Sequence, residues 1–416
     1  MSHAPHSRFR RFVSLLGPGI LVAATGVGAG DLATAAISGS RLGLTVLWAA
    51  VLGCCFKFAL NEGLTRYQLV SGETLLQGAM TRLGWFARVL FGTYLVLWSF
   101  FVANSLMSAA GISLQAMWPL FDKPVDGQLW FGIASSLLGV LLVRVGGFAV
   151  FEKVMAVCIG IMFIVVIGTA IVLKPDLGEF LHGTFVPSIS AADPEALKWT
   201  VALMGGIGGT LTVLCYGYWI REKGREGVEY LNGSRIDLAS GYIMTMIFGL
   251  AMVVIGTKIE VHGKGASLIV DLANELEKPL GPAGRWAFLL GSWGAIFSSL
   301  LGVWQSVPYV FSDYLGLLHT RRGETPPPVH TRSRSYRGYL WAIALIPMLG
   351  LRLPFTEIQK VYALFGAAFM PILALTLLLL NGSRLPDPRY RNKPITTAFL
   401  VGVLAFFAWV GVRDLL

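Results

Sequence analysis

Long apolar runs separated by short polar connections follow one another along the whole chain. Eleven of these runs reach the roughly 20 residues that a helix needs to cross a bilayer. They cover residues 12–38, 44–68, 88–118, 129–148, 150–174, 197–221, 235–258, 284–317, 335–351, 356–381 and 394–413. The pattern predicts an all-α polytopic membrane protein.

Glycine clusters interrupt two of these runs. The first run contains the segment from Gly26 to Asp31 (GVGAGD), and the sixth contains the segment from Gly205 to Thr210 (GGIGGT). Unwound backbone at membrane depth is tolerated only where it is buried in protein or lines a cavity. A pair of broken helices, one in each half of the chain, is typical of the central binding site of a secondary transporter. We therefore expect spans one and six to be broken.

The spacing of the two breaks predicts an internal repeat. Broken spans one and six lie five helices apart, so spans one to five and six to ten have opposite orientations in the membrane. We expect a first repeat over 1–174, a second over 197–381 and an extra helix over 394–413, all within one transport domain covering 1–416. The segment from Glu324 to Pro328 is predicted to be a cytoplasmic linker.

Composition and charge agree with a membrane protein. The chain has 416 residues, of which 55% are hydrophobic and 13% charged, against about 25% charged in soluble domains. The net charge of +10 is concentrated in alternate connections, around residues 66–88, 144–153, 221–235, 321–337 and 384–393. By the positive-inside rule this predicts a plasma (inner) membrane protein with a cytoplasmic N-terminus and an external C-terminus. Nucleic acid is excluded as a partner, the lipid bilayer is expected, and the oligomeric state stays open.

At the first break, Asp31 is the candidate of greatest interest. Either it caps the helix that follows, accepting hydrogen bonds from free amides, or it faces a cavity beside the backbone of Gly28. A carboxylate at mid-membrane costs about 2.5–3.5 kcal/mol on insertion scales, and a serine would cap at less cost. We expect Asp31 to contact substrate, to carry a coupling proton, or both.

At the second break, the backbone of Gly208 and Gly209 is expected to contact substrate. Thr210 and Thr212 can cap the helix that follows. The other candidate substrate contacts on that helix are Thr212, Cys215, Tyr216 and Trp219. Thr212, Cys215 and Trp219 share one helical face, whereas packing or an interfacial position is the alternative for the tyrosine.

Few other ionisable groups lie inside the spans. Asn104 in span three is a candidate cavity residue. Glu62 is a candidate for proton coupling, although an i,i+4 pair with Arg66 also explains it, and Lys57 lies deeper in the same span. No nucleotide-binding, metalloprotease or nucleophile motif is present, so we expect no enzyme and no cofactor. Transport would draw its energy from a gradient.

The chain resembles the Nramp-type divalent-metal transporters. Leu16-Gly17-Pro18-Gly19, leading to Gly28-Ala29-Gly30-Asp31, is similar to the opening of their first broken helix. The segment from Arg66 to Gly72 (RYQLVSG), Phe151-Glu152 and Pro371 are similar to family positions in helices two, five and ten. The resemblance implies eleven helices in a LeuT-like fold.

The metal-binding motifs of that family are not conserved here. Opposite the Asp-Pro-Gly-Asn motif, the aspartate position holds Gly28, the proline position Ala29 and the asparagine position Asp31. Opposite Met-Pro-His stands Thr212-Val213-Leu214. The acidic pair of helix three falls at Ala103 and Leu106, and the glutamine of helix ten at Phe369.

The side chains that stand in place of the family's metal ligands indicate which cargo to expect. Transition metals prefer thioether, thiolate or imidazole ligands, and hard cations prefer several oxygens. One carboxylate, one hydroxyl and aromatic walls suit a small polar organic solute, with a sugar or polyol first and an amino acid or amine second. One alternative is a proton-coupled importer of divalent Mn, Fe or Mg that uses Asp31, Thr212 and Cys215. Another is a membrane receptor that does not transport.

Overall fold

A computed structural model of the chain describes residues 17–189, 195–258, 267–320 and 329–415. These residues fold into helices, short 3₁₀ turns and connections, with no strand in the described ranges. The predicted linker 324–328 and residues 12–16 of the first span lie outside them. The α-helices are α1 (Pro18–Gly26), α2 (Ala29–Leu42), α3 (Leu47–Ser71), α4 (Leu75–Arg82), α5 (Gly84–Met117), α6 (Pro124–Val145), α7 (Gly147–Val172), α8 (Leu177–Phe185), α9 (Ala196–Gly206), α10 (Cys215–Glu222), α11 (Leu231–Gly256), α12 (Ser267–His319), α13 (Arg334–Leu345), α14 (Phe355–Leu380) and α15 (Pro394–Leu415).

Both predicted breaks are present. The first broken helix consists of α1 and α2, and the second consists of α9 and α10, with a 3₁₀ turn at Leu211–Leu214 between them. Nine stretches of described helix are long and apolar enough to cross a membrane, against eleven predicted spans. The difference arises because α2 and α3 join into one stretch, Asp31–Ser71, and because α13 is short and ends in a 3₁₀ turn, Ile346–Gly350.

Glycines bring the first broken helix close to α11. A Cβ atom at Gly19 would lie 2.1 Å from the Asp237 carbonyl oxygen, and one at Gly39 would lie 2.2 Å from that of Val253. From the other side, a Cβ at Gly256 would lie 2.2 Å from the Ala36 carbonyl oxygen. Small residues at such crossings allow backbones in membrane proteins to approach closely. The first broken helix therefore packs directly on the backbone of α11.

The remaining helices enclose the broken pair. Helix α5 packs against α6 and α12, and α7 packs against α12. Helix α12 has a non-helical residue, Gly281, and its membrane-crossing stretch begins there, close to the predicted start at 284. Large apolar side chains on the outer helices, such as Ile164 (78% exposed) and Leu141 (57% exposed), point outward. This arrangement is the one expected when the surrounding solvent is lipid.

Candidate functional site

The first break is only two residues long. Helix α1 ends at Gly26, and α2 begins at Ala29 with Gly28 as its N-cap. Gly28 has a φ of −96°, outside the left-handed region that favours glycine, so a left-handed backbone is not what the glycines of this break supply. They supply room instead: a Cβ at Gly26 would lie 2.8 Å from the carbonyl carbon of Gly208, and one at Gly28 would lie 2.2 Å from the Ser299 hydroxyl.

The second break does require glycine for its backbone. Gly208 and Gly209 have φ values of +74° and +82°, in the left-handed region that side chains with a Cβ rarely adopt. Two consecutive residues in this region turn the chain out of α9 and into the 3₁₀ turn. A Cβ at Gly26 would also lie 2.9 Å from the Gly209 nitrogen. The two breaks therefore contact each other backbone to backbone.

Replacing Gly26 with alanine is expected to separate the two breaks. The new methyl group would overlap the backbone of Gly208 and Gly209, and overpacking of this kind costs about 1–3 kcal/mol. We expect a lower unfolding midpoint in detergent, together with loss of most uptake in proteoliposomes. Gly168→Ala in α7 is the matched control, because nothing lies within 4 Å of that position. Equal unfolding midpoints and equal uptake for the two variants would contradict the contact between the two breaks.

Asp31 links the two broken helices. It lies in the first turn of α2 and is fully buried. Both of its carboxylate oxygens accept a hydrogen bond from the backbone N–H of Gly208, each at 3.1 Å. The N-cap of α2 is Gly28, with no side-chain capping bond, so the capping alternative for Asp31 is wrong. Its negative charge still lies at the positive end of the α2 helix dipole.

Lys57 holds the other side of the same break. Its ammonium nitrogen donates to the Gly205 carbonyl at 2.7 Å and also to the Ile207 carbonyl. The side chain is 1% exposed. Its stem runs alongside Gly208, because a Cβ there would lie 3.5 Å from Lys57 Cδ. The carbonyls freed where α9 ends are thus satisfied by an ammonium from α3.

Two opposite charges therefore flank the unwound segment. Asp31 binds its amide and Lys57 binds its carbonyls, and the two side chains attract each other electrostatically. Buried charges in a low-dielectric interior are tolerated only when paired and hydrogen-bonded. The carbonyl oxygens of the second break therefore form a cation-binding group. The cation bound there is the Lys57 ammonium.

The residues after the second break do not cap the helix that follows. Thr212 Oγ1 accepts from the Thr210 N–H at 3.3 Å, and Thr210 Oγ1 accepts from the Trp98 indole at 2.7 Å. Helix α10 begins after Leu214 without a side-chain cap. The expectation that Thr210 and Thr212 cap α10 is therefore wrong. Both threonines are buried next to the left-handed pair, where Gly209 approaches Thr212 Oγ1.

The candidate side chains on α10 have partners away from the breaks. The Trp219 indole donates to Gln305 Oε1 at 2.8 Å, and Cys215 contacts Ser306, so both face α12. The Tyr216 hydroxyl donates to Asp237 Oδ2 at 3.0 Å. All three side chains are fully buried. A substrate contact by any of them stays a prediction that requires a change of hydrogen-bond partner.

Asn104 and Glu62 are also engaged elsewhere. The Asn104 amide donates to the Pro347 carbonyl at 2.9 Å, in the 3₁₀ turn after α13. Glu62 pairs with Arg66 at 3.4 Å and with Arg235 at 2.7 Å. The i,i+4 pair is thus present, and proton coupling through Glu62 stays a prediction.

Sequence reasoning missed a polar layer around the first broken helix. Gln359 on α14 donates to Thr34 Oγ1 at 3.0 Å and accepts a hydrogen bond from Ser105 on α5. On the other side, Asn61 donates to the Tyr242 hydroxyl at 3.2 Å. All of these side chains are buried. Single polar residues inside apolar runs were the available signal, but their partners lie more than 180 residues away in the sequence.

An ion-paired cluster anchors the start of the second broken helix. Glu195 is the N-cap residue of α9, and its carboxylate pairs with Lys360 at 2.9 Å and Arg41 at 3.3 Å. The hydrogen bond from Lys360 is the main reason that the pKa of Glu195 lies below its ordinary value. The cluster ties α9 to α14 and α2 at the end opposite the break.

Side chains that commonly bind metal ions do not cluster in the described part of the chain. No set of three His, Cys, Asp or Glu side chains there could hold a metal ion. The four cysteines are free thiols. A cation bound between the broken helices would therefore be held by single donors, among them the Asp31 carboxylate and nearby backbone and hydroxyl oxygens.

Two broken helices packed face to face inside a bundle of membrane-crossing helices define the LeuT-like class of membrane transporters. Solved structures support this fold. A mutant of the manganese transporter of Eremococcus coleocola superposes with a TM-score of 0.74, at 16% identity, over 99% of this chain and 88% of that one. MhsT in complex with L-phenylalanine superposes with a TM-score of 0.62, at 16% identity, over 93% of this chain and 95% of that one.

Sequence comparison identifies the family. The family model described as "Natural resistance-associated macrophage protein-like" (Nramp) matches residues 19–416. The chain therefore belongs to the Nramp family, and it is an integral membrane protein of the transporter class. This confirms the resemblance and the predicted all-α, LeuT-like fold. The boundaries of the two repeats and of the extra helix stay predictions.

Two relatives illustrate the range of similarity. The "Uncharacterized protein PM0681" of Pasteurella multocida is 25% identical over 320 residues, covering 72% of this chain and 69% of its own length. The "Divalent metal cation transporter MntH" of Brucella suis is 25% identical over 293 residues. This match covers 66% of the chain and 60% of that relative. The comparisons give no support to a sugar or polyol as cargo.

Proposed function

We propose that this protein is a secondary active transporter that binds a small cation between its two broken helices and moves it by alternating access. One observation carries the proposal: the carbonyls of Gly205 and Ile207 hold the Lys57 ammonium, while Asp31 holds the Gly208 amide on the same unwound segment. Carbonyls and a carboxylate beside a break form the kind of oxygen site that binds coupling ions and cargo in broken-helix transporters.

In this proposal Lys57 is a tethered substitute for the cargo. A divalent cation entering between the breaks would take the place of the ammonium on the two carbonyls and share Asp31 as a counter-ion. Thr212 and Cys215 lie on the turn and the helix that follow and would complete the donors. Exchange of one cation for another keeps the buried carboxylate neutralised throughout, which low-dielectric surroundings demand. The Brucella relative is named a divalent metal cation transporter, which agrees with this first candidate.

A small polar organic solute is the second candidate. If Lys57 stays in place, the site already has its cation, and a divalent ion beside an ammonium would be repelled. The solute would then hydrogen-bond to Asp31 and to the freed backbone of the breaks. The scarcity of metal donors among the described residues favours this candidate. Coupling to a proton on Asp31 and a cytoplasmic N-terminus in the plasma (inner) membrane are further parts of the proposal.

Metal-dependent stabilisation of the purified protein separates the two candidates. If the cargo is a divalent cation, Mn²⁺, Cd²⁺ or Mg²⁺ at millimolar concentration is expected to raise the unfolding midpoint and to be taken up by proteoliposomes. A silent metal series, with uptake of a polar solute instead, would replace the first candidate by the second. No uptake of any tested ion or solute, despite binding, would favour a receptor that does not transport.

A further inference from the structure

A basic groove lies on the outside of the bundle. It runs between α3, α11 and α15 and has a volume of about 900 Å³. Its walls are mainly apolar, with Phe58, Ile243 and Phe399 among them. Its charged lining consists of five cations and one carboxylate, namely Arg66, Arg235, Arg389, Arg391, Lys393 and Glu62.

All of these charges lie at one end of the groove. Arg66 is in the last two turns of α3, Arg235 is in the second turn of α11, and residues 389–393 come immediately before α15. The three helices therefore present their cationic ends at the same side of the membrane. This is the side that the distribution of basic loops predicts to be cytoplasmic.

The cations of the groove outnumber the carboxylates beside them. Glu62 pairs with Arg66 and Arg235. Arg389 pairs with Asp387, and its hydrogen bonds lower the pKa of that carboxyl below the ordinary value. Asp387 also attracts Arg391 electrostatically, but no carboxylate in the described ranges forms a close ion pair with Arg391 or Lys393. Lys393 is exposed. The mouth of the groove therefore carries a positive surplus, formed by Arg391 and Lys393, that complements an anion.

The apolar part of the groove has the depth of a lipid chain. Met246, which also lines the groove, lies eleven positions after Arg235 on α11. At 1.5 Å per residue this is roughly 16 Å, about half of the roughly 30 Å hydrocarbon thickness of a bilayer. Ile243 is 51% exposed and Ile395 is 86% exposed. A chain-length hydrophobic trough thus leads up to a cationic mouth at one membrane surface.

We infer that this groove binds an anionic phospholipid, with the phosphate at Arg391 and Lys393 and an acyl chain along Ile243 and Met246. Basic pockets between helices at the cytoplasmic side of membrane proteins have the chemistry to hold such head groups. A zwitterionic lipid would bring its own cation to a mouth that is already positive, so the surplus charge selects against it.

The groove also extends to the back of the second break. Its inner wall includes Tyr242, whose ring lies next to Gly208, since a Cβ there would be 3.2 Å from Tyr242 Cε1. The same tyrosine accepts a hydrogen bond from Asn61. A lipid chain packed on this wall would press Tyr242 towards the unwound segment. Lipid occupancy is therefore expected to stabilise the break from behind.

The test measures lipid binding to the full-length protein purified in phosphatidylcholine nanodiscs. Phosphatidylglycerol is titrated in, and bound lipid and the unfolding midpoint are recorded. We expect Arg391→Gln combined with Lys393→Gln to weaken phosphatidylglycerol binding at least 10-fold. The matched control, Arg144→Gln with Lys153→Gln, removes two cations near the α6–α7 junction, outside the groove, and is expected to change nothing.

Two further variants keep the test decisive. Lys393→Glu changes one exposed side chain and is expected to weaken binding without lowering the midpoint in pure phosphatidylcholine. Ile243→Trp fills the trough, leaves every charge in place and is expected to weaken lipid binding as well. Equal affinity for phosphatidylglycerol and phosphatidylcholine would overturn the inference. So would unchanged binding in the double variant, or full replacement of the lipid effect by inorganic phosphate.

Discussion

Lys57→Met is expected to destabilise the protein by about 3–5 kcal/mol, the cost of leaving a buried charge without its partner. Methionine has a similar length but cannot donate to the Gly205 and Ile207 carbonyls, and it leaves Asp31 without a nearby cation. The free energy of unfolding, measured by titration with SDS in mixed micelles, reports the loss. Lys57→Arg keeps the charge and is expected to recover part of the stability.

Lys360→Gln is the control for this prediction. Its ammonium forms a close ion pair with Glu195, at 2.9 Å, and its side chain is 27% exposed. Partly exposed pairs contribute about 1 kcal/mol or less. In the double variant Asp31→Asn with Lys57→Met, neither charge is left unpaired. We therefore expect its destabilisation to be at least about 1 kcal/mol smaller than the sum of the two single losses. Additive losses, or equal losses for Lys57→Met and Lys360→Gln, would show that Lys57 is not coupled to Asp31.

Asp31→Asn is expected to lower uptake in proteoliposomes by roughly 10- to 150-fold. The carboxylate accepts the Gly208 amide with both oxygens, and hydrogen bonds to a charged group contribute about 1.5–3 kcal/mol. Asparagine keeps one acceptor oxygen but removes the charge that balances a bound cation. The loss is therefore expected even if the variant folds normally.

Asp122→Asn provides the matched control, because Asp122 is an exposed carboxylate in the connection between α5 and α6. Its uptake is expected to equal that of the wild type. For a divalent cation as cargo, Asp31→Asn should also abolish the metal-dependent rise in the unfolding midpoint. An Asp31→Asn variant that transports at the normal rate would remove the carboxylate from the proposed site.

The positions of the breaks could be predicted from the sequence because glycine clusters inside apolar runs are a local signal. The reason for the glycines differs between the two breaks, and this could not be predicted. Gly208 and Gly209 adopt positive φ angles that favour glycine. Gly26 instead allows close contact with a segment about 180 residues later in the chain. The i,i+4 pair of Glu62 and Arg66 was also predictable, because helical spacing alone brings the two together.

The partners of buried polar groups could not be predicted, because these partners lie far away in the sequence. Lys57 meets its two carbonyls 148 and 150 residues away, and Asp31 meets Gly208 at a separation of 177. Their contacts depend on how α3, α2 and α9 cross in three dimensions. The sequence alone therefore marked Asp31 and Lys57 as unusual without relating one to the other. Tyr216 and Trp219 were chosen by proximity to the second break and Asn104 as a polar residue inside a span, and the structure gives each of them a partner elsewhere.

The pairing of an acid and a base on opposite sides of the second break also bears on the electrical behaviour of the carrier. Moving one uncompensated elementary charge through the membrane field costs or releases about 2.3 kcal/mol per 100 mV. With Asp31 and Lys57 both ionised, the central site of the empty carrier has no net charge. The membrane potential is therefore not expected to change the rate at which the empty carrier reorients. Any voltage dependence of turnover must then enter with the cargo.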